Sequence, residues 1–360
     1  MAFLNQQARE FMNSYCAGLA KANNATDTSK FFTLSNPVET QLRKALIESS
    51  AFLKDIFCAD VDQLNGQVVA VGNNALFTGR KAGGRFIRTV GVDGNTYQLV
   101  ETDSGAALPW DLLSTWANAG GTDKEFFKLV QQATNEAFAA DMLRIGFNGL
   151  SVAPTTDPEA NPNGEDVNIG WQEIVRKYNG GSQIVIDDVT LGKGGTYATL
   201  DSMAADLVNT LIPPQYRNDP RLVVLVGSDL VAAEQYRLYQ EAITPTENLA
   251  AQMLSKTVAG RKAFVPPFMP GKRMVVTTLK NLHIYTQRNT RQRKTEFVED
   301  RKQYENKYLR NEGYAVEYPE LYAAFDESHV TIGEVGEPVL ESMAESLEEI
   351  AENSAPVAEV

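Results

Sequence analysis

Near the N-terminus apolar side chains return every three or four positions. Leu4, Ala8, Phe11, Tyr15 and Leu19 share one face of an amphipathic helix over residues 1–22. The polar run Asn23 to Lys30 has loop composition and reads as a flexible, accessible linker. Asn36-Pro37 then opens a second helix: Asn36 is placed to cap it, Pro37 suits its first position, and Glu39 completes a capping-box pattern. Val38, Leu42, Ala45, Ser49 and Leu53 line its inner face. Two helices ahead of any sheet signal read as an arm, not a domain core.

The texture changes from Gly66 to Gly105. Frequent glycines separate short β-like runs, Gln67 to Val71, Arg85 to Val90 and Thr96 to Val100, and Asp93-Gly94 is a hairpin signal. Strongly apolar residues are too few here to bury a core, so the stretch reads as a long projecting β-loop with Arg80, Lys81, Arg85 and Arg88 clustered near its middle. Thr122-Asp-Lys-Glu125 then forms a capping box for a long helix carrying Phe127, Val130, Phe138, Met142 and Ile145, ended by Gly146 or Gly149. Asp123 to Ile145 would span roughly 35 Å. A Pro-, Asn- and Asp-rich loop (153–168) precedes a short helix from Trp171 to Tyr178.

After residue 180 strands and helices alternate. Gln183 to Thr190 is β-like, Thr199 caps an amphipathic helix stopped by Pro213-Pro214, Leu222 to Val226 reads as a buried strand, and Ser228 opens another helix. A further helix is expected from about Glu247 to Val258. Met274 to Leu279 and Leu282 to Tyr285 are expected to pair across Lys280-Asn281. The whole is α+β, with a mixed α/β region after 180.

The formal net charge is -13, with 33 basic and 46 acidic residues. That balance disfavours a dedicated nucleic-acid binder but allows weak local contact. Residues 286–310 run against the trend at a net +4, and no Lys or Arg follows Glu334. The acidic end is expected to be a flexible tail. In a chain that otherwise repels itself, the basic residues Arg291, Arg293 and Lys294 are expected to meet acidic surfaces of neighbouring subunits. No apolar run approaches membrane-helix length and no basic-then-apolar leader opens the chain, so cytoplasmic synthesis is expected and a membrane partner is not.

Candidate chemistry is sparse. Cys16 and Cys58 suit neither a disulfide framework nor a zinc site and read as half-buried small side chains. His283, in an apolar strand, and His329 read as structural. Gly192-Lys-Gly-Gly-Thr196 lacks the spacing of a phosphate loop, and Leu222 to Ser228 has one glycine where a dinucleotide site needs three. No catalytic group, metal site or cofactor is expected.

Five stretches, in order, carry a resemblance. They are Phe32-Thr33 with Glu48-Ser-Ser-Ala-Phe52; Ile145-Gly-Phe-Asn-Gly149; Asn168-Ile-Gly-Trp171; Leu191-Gly-Lys-Gly-Gly-Thr-Tyr-Ala-Thr-Leu-Asp201; and Asp219-Pro-Arg-Leu-Val-Val-Leu-Val-Gly227. Over residues 30–335 the chain resembles the major capsid proteins of tailed bacteriophages, specifically the phage P2 family. The resemblance implies the fold of tailed-phage shells and herpesvirus capsid floors, and a non-enzymatic subunit of an icosahedral virion shell around double-stranded DNA. It implies an N-terminal arm (1–61), an extended loop (62–108), a peripheral domain (109–180) with spine helix 122–146, and an axial domain (181–285). Return and closing strands (286–335) and an acidic tail (336–360) complete it. It also implies pentamers and hexamers assembled in the host bacterial cytoplasm, contacts with scaffold, protease and portal, weak contact with packaged DNA, and removal of residues 1–32 by cleavage at Phe32-Thr33. A tail component is the nearest alternative, separated by whether the protein makes closed shells or tubes. A cytoplasmic α/β enzyme is more distant, and saturable metabolite binding would mark it.

Overall fold

Two six-stranded sheets organise the chain in the computed structural model, which describes residues 4–68, 78–86, 95–118, 122–241 and 256–333. The chain begins with helix α1 (Gln6–Ala22), strand β1 (Phe32–Thr33), helices α2 (Asn36–Glu48) and α3 (Ala51–Asp55), and strands β2 (Phe57–Val61) and β3 (Asn65–Gln67). Then come β4 (Thr96–Gln98), β5 (Val100–Pro109), α4 (Trp110–Asn118), α5 (Asp123–Asn148) and α6 (Trp171–Lys177). The mixed region holds β6 (Ile184–Val185), β7 (Val189–Leu191), α7 (Leu200–Thr210), β8 (Leu222–Val226), α8 (Ser228–Glu241), β9 (Thr257–Val258), β10 (Arg261–Phe264) and β11 (Met274–Thr278). It closes with β12 (Leu282–Gln287), β13 (Gln292–Val298), β14 (Gln303–Val316), β15 (Ala323–Phe325) and β16 (Val330–Ile332).

The first sheet runs β1-β13-β14-β12-β2, with β5 also on β14. The second runs β6-β15-β11-β8-β10-β9. Leu222, Val224 and Val226 of β8, Met274 and Val276 of β11, and Ala323 and Phe325 of β15 face α7 and α8. The alternate residues Val223, Leu225, Val275 and Ala324 join Trp171, Met142, Phe147 and the ends of β12 and β14. Burial on both faces is why these strands read as unbroken apolar runs and not as alternation.

Helix α5 has the expected start. Thr122 Oγ1 accepts from Glu125 N, and Glu125 Oε2 accepts from Thr122 N at 2.8 Å. Gly149 is its C-cap, and Phe126 is buried in the core while Phe127 packs half-buried at its rim against Tyr15. Gly146 admits the indole of Trp171, since a Cβ there would lie 2.6 Å from the ring. Gly170 N donates to Gly149 O at 2.9 Å. Two of the stretches that carry the resemblance therefore meet in space.

Several expectations change. α1 is docked: Ala8, Met12, Tyr15 and Leu19 pack with Leu113, Ala117, Phe126 and Val130 of α4 and α5, with Met12 fully buried and Phe11 at the rim. Nor is the link from 23 to 31 a free tether. Asn23 and Thr28 are buried, Asn23 Oδ1 accepts from Ser35 N at 3.0 Å, and Thr28 O accepts from Thr295 N at 2.8 Å. Ser35 and not Asn36 holds the cap position of α2, and Glu39 leaves the capping box for a buried arginine.

The expected pairing of 274–279 with 282–285 does not form. β11 pairs with β8 and β15, whereas β12 pairs with β14 and β2, so the chain changes sheets across Leu279–Asn281. Asn281 fixes that step: its Nδ2 donates to Thr277 Oγ1 (3.1 Å) and Tyr318 O (3.0 Å), and its Oδ1 accepts from Tyr318 N (2.6 Å). Residues 282–285 thus belong to the first sheet. The end of the expected 247–258 helix is instead β9, turning back on β10 through Ala259-Gly260, both with positive φ. Residues 247–255, the Asp93-Gly94 turn and the acidic tail lie outside the described residues.

Candidate functional site

The residues expected to meet neighbours fall into three settings. At the arm junction, Phe32 and Thr33 pair antiparallel with Arg293 and Gln292 of β13. Phe32 is buried with Leu34, Leu46 and Phe138, while Phe31 and Thr33 are exposed. The Phe32-Thr33 bond therefore lies in a short edge strand. That edge is reinforced on both sides, by Leu34 N to Arg291 O (3.2 Å) and Thr295 N to Thr28 O (2.8 Å).

Arg291 and Arg293 are not surface cations, which corrects the expectation that they face neighbouring subunits. Arg291 is 2% exposed, with Nη1 2.6 Å from Glu39 Oε1 and Nη2 on Asp60. Arg43 Nη1 shares that Asp60 at 2.7 Å. Arg293 donates from Nε to Asn306 Oδ1 (2.9 Å) and from Nη2 to Tyr15 OH (3.2 Å), tying α1 to the sheet. A buried arginine needs such partners, because its charge loses hydration that only hydrogen-bonded anions or dipoles replace. Beside them Arg310 and Glu312, 3% and 1% exposed, pair at 2.6 Å. Burial opposes the Arg310 charge, yet Glu312 holds its pKa above the ordinary value. Lys294 is the member of the basic stretch left near the surface. It lies 2.6 Å from Glu296, in a cross-strand group with Lys307 and Glu305.

The loop cations behave differently. Arg80, Lys81 and Arg85 are all exposed, and none has an ion-pair partner among the described residues. Gly83 at φ 80° and Gly84 at φ 153° turn the chain between them. Arg88 lies outside the described residues.

The positions that suggested chemistry are occupied by structure. Gly192 N donates to Tyr197 O (2.9 Å), Gly195 N to Gly192 O (3.0 Å) and Thr190 N to Thr196 Oγ1 (3.2 Å), so the turn spends its amides internally. At the start of α8, Asp229 N and Leu230 N donate to Gly271 O at 3.0 and 3.2 Å. His283 is held by Tyr285 OH at 2.6 Å and Lys280 O at 3.0 Å, and burial lowers its pKa to about 4. His329 meets Asp188 at 2.8 Å. Cys16 and Cys58 are half-buried, and burial pushes the Cys58 thiol up to about 12. Among the described residues no group of three or more His, Cys, Asp or Glu is arranged to hold a metal ion, and no helix is long and apolar enough to cross a membrane.

Comparison with known proteins decides the assignment. The family description "Phage major capsid protein, P2 family" matches residues 11–328. The chain belongs to that family. It is 30% identical over 335 residues to the "Capsid proteins" of Escherichia phage P2, covering 87% of this chain and 92% of that one. It is 26% identical over 300 residues to the "Major capsid protein" of Serratia phage KSP20, covering 78% and 84%. A chain of the satellite phage P4 procapsid, solved with its size determination (Sid) protein, superposes with a TM-score of 0.73 at 25% identity over 92% of this chain and all of that one. The protein is accordingly a major capsid protein with the mixed α+β fold of tailed-phage shells. It self-associates, resides in the virion capsid, and its role is structural and not enzymatic.

In a capsid subunit the surfaces matter most, and sequence reasoning missed one of them. A groove of about 230 Å³ lies between β5, α5 and the 156–167 loop, with Asp103, Gly105, Asp141, Arg144, Pro158 and Asp166 among its walls. Asp166 Oδ2 accepts from Asp157 N at 2.7 Å, while its buried Oδ1 has no partner. Burial also holds Asp141 above the usual carboxylate range despite Arg144 at 3.2 Å. The Pro-, Asn- and Asp-rich composition of 153–168 signalled a loop but not what it encloses.

Proposed function

We propose that this capsid protein builds its shell from pentamers and hexamers in which the second sheet with α7 and α8 forms the axial part near the capsomer centre. The first sheet with α5 as spine forms the peripheral part. The extended loop that engages the next subunit lies within 62–99, shorter than the expected 62–108 because Val100–Pro109 is built into the first sheet as β5, and residues 1–32 are the removable N-terminal segment. Scaffold, maturation protease and portal are the assembly partners, and packaged DNA is touched weakly. The observation that carries this reading is the sorting of the strands into two six-stranded sheets, with Leu279–Asn281 among the steps where the chain passes from one to the other. The exposed Arg80, Lys81 and Arg85, which have no ion-pair partner among the described residues, support the role of the loop.

Processing at Phe32-Thr33 requires β1 to leave β13, and it uncovers the apolar face of α4 and α5 that α1 occupies. Electron microscopy of the protein expressed with its scaffold tests the reading: closed shells are expected, and tubes or only soluble monomer overturn it. Replacing residues 75–92 by a short Gly-Ser linker should leave a folded monomer that forms no shells. Intact mass of the chain from mature virions tests the processing. A species beginning near Thr33 is expected, and a full-length chain refutes it.

A further inference from the structure

A second groove, of about 760 Å³, runs beside α6, between the residues that leave α5 and the ends of β4 and β14. Leu150, Val152, Ile169, Ile174, Tyr178 and Pro319 are among its walls. Leu150 is 54% and Val152 43% exposed. Apolar side chains left open around a concave surface mark a seat for another apolar surface. Lys177 is the one charged side chain among the described residues that line it, with Glu173 of the same helix at 3.7 Å. The end of the chain carries the complementary pattern. Leu340, Met343, Leu347 and Ile350 recur at spacings of three, four and three, while Glu341, Glu345, Glu348 and Glu352 recur at four, three and four. On a helix these make two opposite stripes, one apolar and one acidic, and Pro338 suits its first turn. An apolar stripe of that kind is buried only against a partner surface.

We propose that the groove beside α6 is the seat of the chain's own acidic tail, with Met343, Leu347 and Ile350 laid against Leu150, Val152 and Ile174 and a tail glutamate meeting Lys177. The seat goes beyond shell building and does not depend on how the capsomers are arranged. Three observations select this occupant. The chain passes α6 shortly before the tail begins: Asp326 meets Arg176 at 2.7 Å, and Glu327 accepts from Gln172 Nε2 at 3.3 Å. Residues 334–342 extend to roughly 30 Å, about three helix diameters, so the same copy has the reach. The sign of the charge is also right. Eight glutamates and no Lys or Arg lie beyond Gly333, and the one charge lining the groove is positive. That charge repels the cationic loop tip 78–86, and α1 is already seated on α4 and α5. Tethering makes the encounter intramolecular, so a contact of three or four side chains holds where a free peptide of the same sequence would bind weakly.

Disulfide trapping in the full-length chain tests the seat, with the wild type as the control for Cys16 and Cys58. Val152→Cys with Leu347→Cys should oxidise to an intramolecular disulfide, seen as a shift on a non-reducing gel. It should do so about ten-fold faster than Val152→Cys with Glu348→Cys, whose second position lies on the acidic stripe. Equal rates overturn the proposal, and so does a crosslink found only in dimers, which gives the groove to another copy. Cleavage by a glutamate-specific protease reads the same contact without new cysteines. Met343→Ser with Leu347→Ser, and separately Leu150→Ser with Val152→Ser, should each speed release of the tail about ten-fold. Lys177→Glu should speed it about two- to three-fold. Leu150, Val152 and Lys177 are exposed, so these changes spare the core, and circular dichroism reports folding. Cleavage unchanged by the groove variants sinks the seat even where the tail variants respond, because another surface then holds the tail. Absence of closed shells from the wild type would sink the capsid reading and leave the disulfide result standing, whereas normal shells with failed trapping would sink only the seat.

Discussion

The two sheets bury different things. In the second, β8, β11 and β15 place Val, Leu, Met, Ala and Phe side chains on both faces, most of them inaccessible to solvent. In the first, β13 and β14 bury Arg293, Asn306, Arg310 and Glu312, with Arg291 just before them. Stability of the apolar sheet scales with area and packing, so the loss of a side chain there costs in proportion to its size. In the charged sheet the cost depends on what the lost side chain leaves unpaired, since the surviving partner keeps its desolvation penalty. One sheet is tolerant of exchange among apolar residues; the other is specified pair by pair.

The largest expected effect tests that distinction. Arg310→Leu strands Glu312 and should lower unfolding free energy by about 3–5 kcal/mol, while Arg310→Leu with Glu312→Leu should recover most of it. Equal losses in denaturant titrations of the single and double variants would break the comparison. Next, Leu225→Ala, at a fully buried position of β8, should cost about 3 kcal/mol, with no partner change able to rescue it. Third, the first sheet should carry a pH dependence through His283. Its folded pKa of about 4 lies below the ordinary 6.5, so the unfolded chain binds the extra proton first. Stability is therefore full above pH 6.5 and falls as pH drops toward 4, by about 2.5 kcal/mol at pH 4.5. Glu317, 3.4 Å away and held above its usual pKa by burial, titrates in the opposite sense. The His283 share is thus the difference between wild type and His283→Gln across that range, and parallel curves would remove it. The smallest effect is Thr122→Ala, which should cost about 1 kcal/mol by opening the capping box of α5.

The same contrast explains what could be read in advance. The cap at Thr122, the helix behind Thr199 and the buried run 222–226 depend on neighbours in sequence, and each forms where the pattern puts it. Arg291 and Arg293 read as surface cations for a neighbouring subunit because Glu39 and Tyr15, the groups that neutralise or bind them, lie more than 250 positions away. The apparent hairpin around Lys280-Asn281 failed for a related reason. Both strands are apolar, but Asn281 ties the turn to Tyr318 and delivers the second strand to the other sheet. The groove at Asp166 was equally hidden, since its walls come from three separate segments.

The pairing of β5 with β14 also sets a schedule for synthesis. Gln303 sits opposite Pro109 and Glu312 opposite Val100, so about 200 residues must emerge between one strand and its partner. At a bacterial elongation rate of roughly 5–20 residues per second, β5 waits on the order of 10–40 s for β14. β1 and β2 wait longer still, for partners in β13 and β12. During that interval the segments that will close the first sheet hang from the ribosome without their central strand. The nascent chain thus spends most of its birth with open strand edges, and host chaperones have most to guard before the last sixty residues appear.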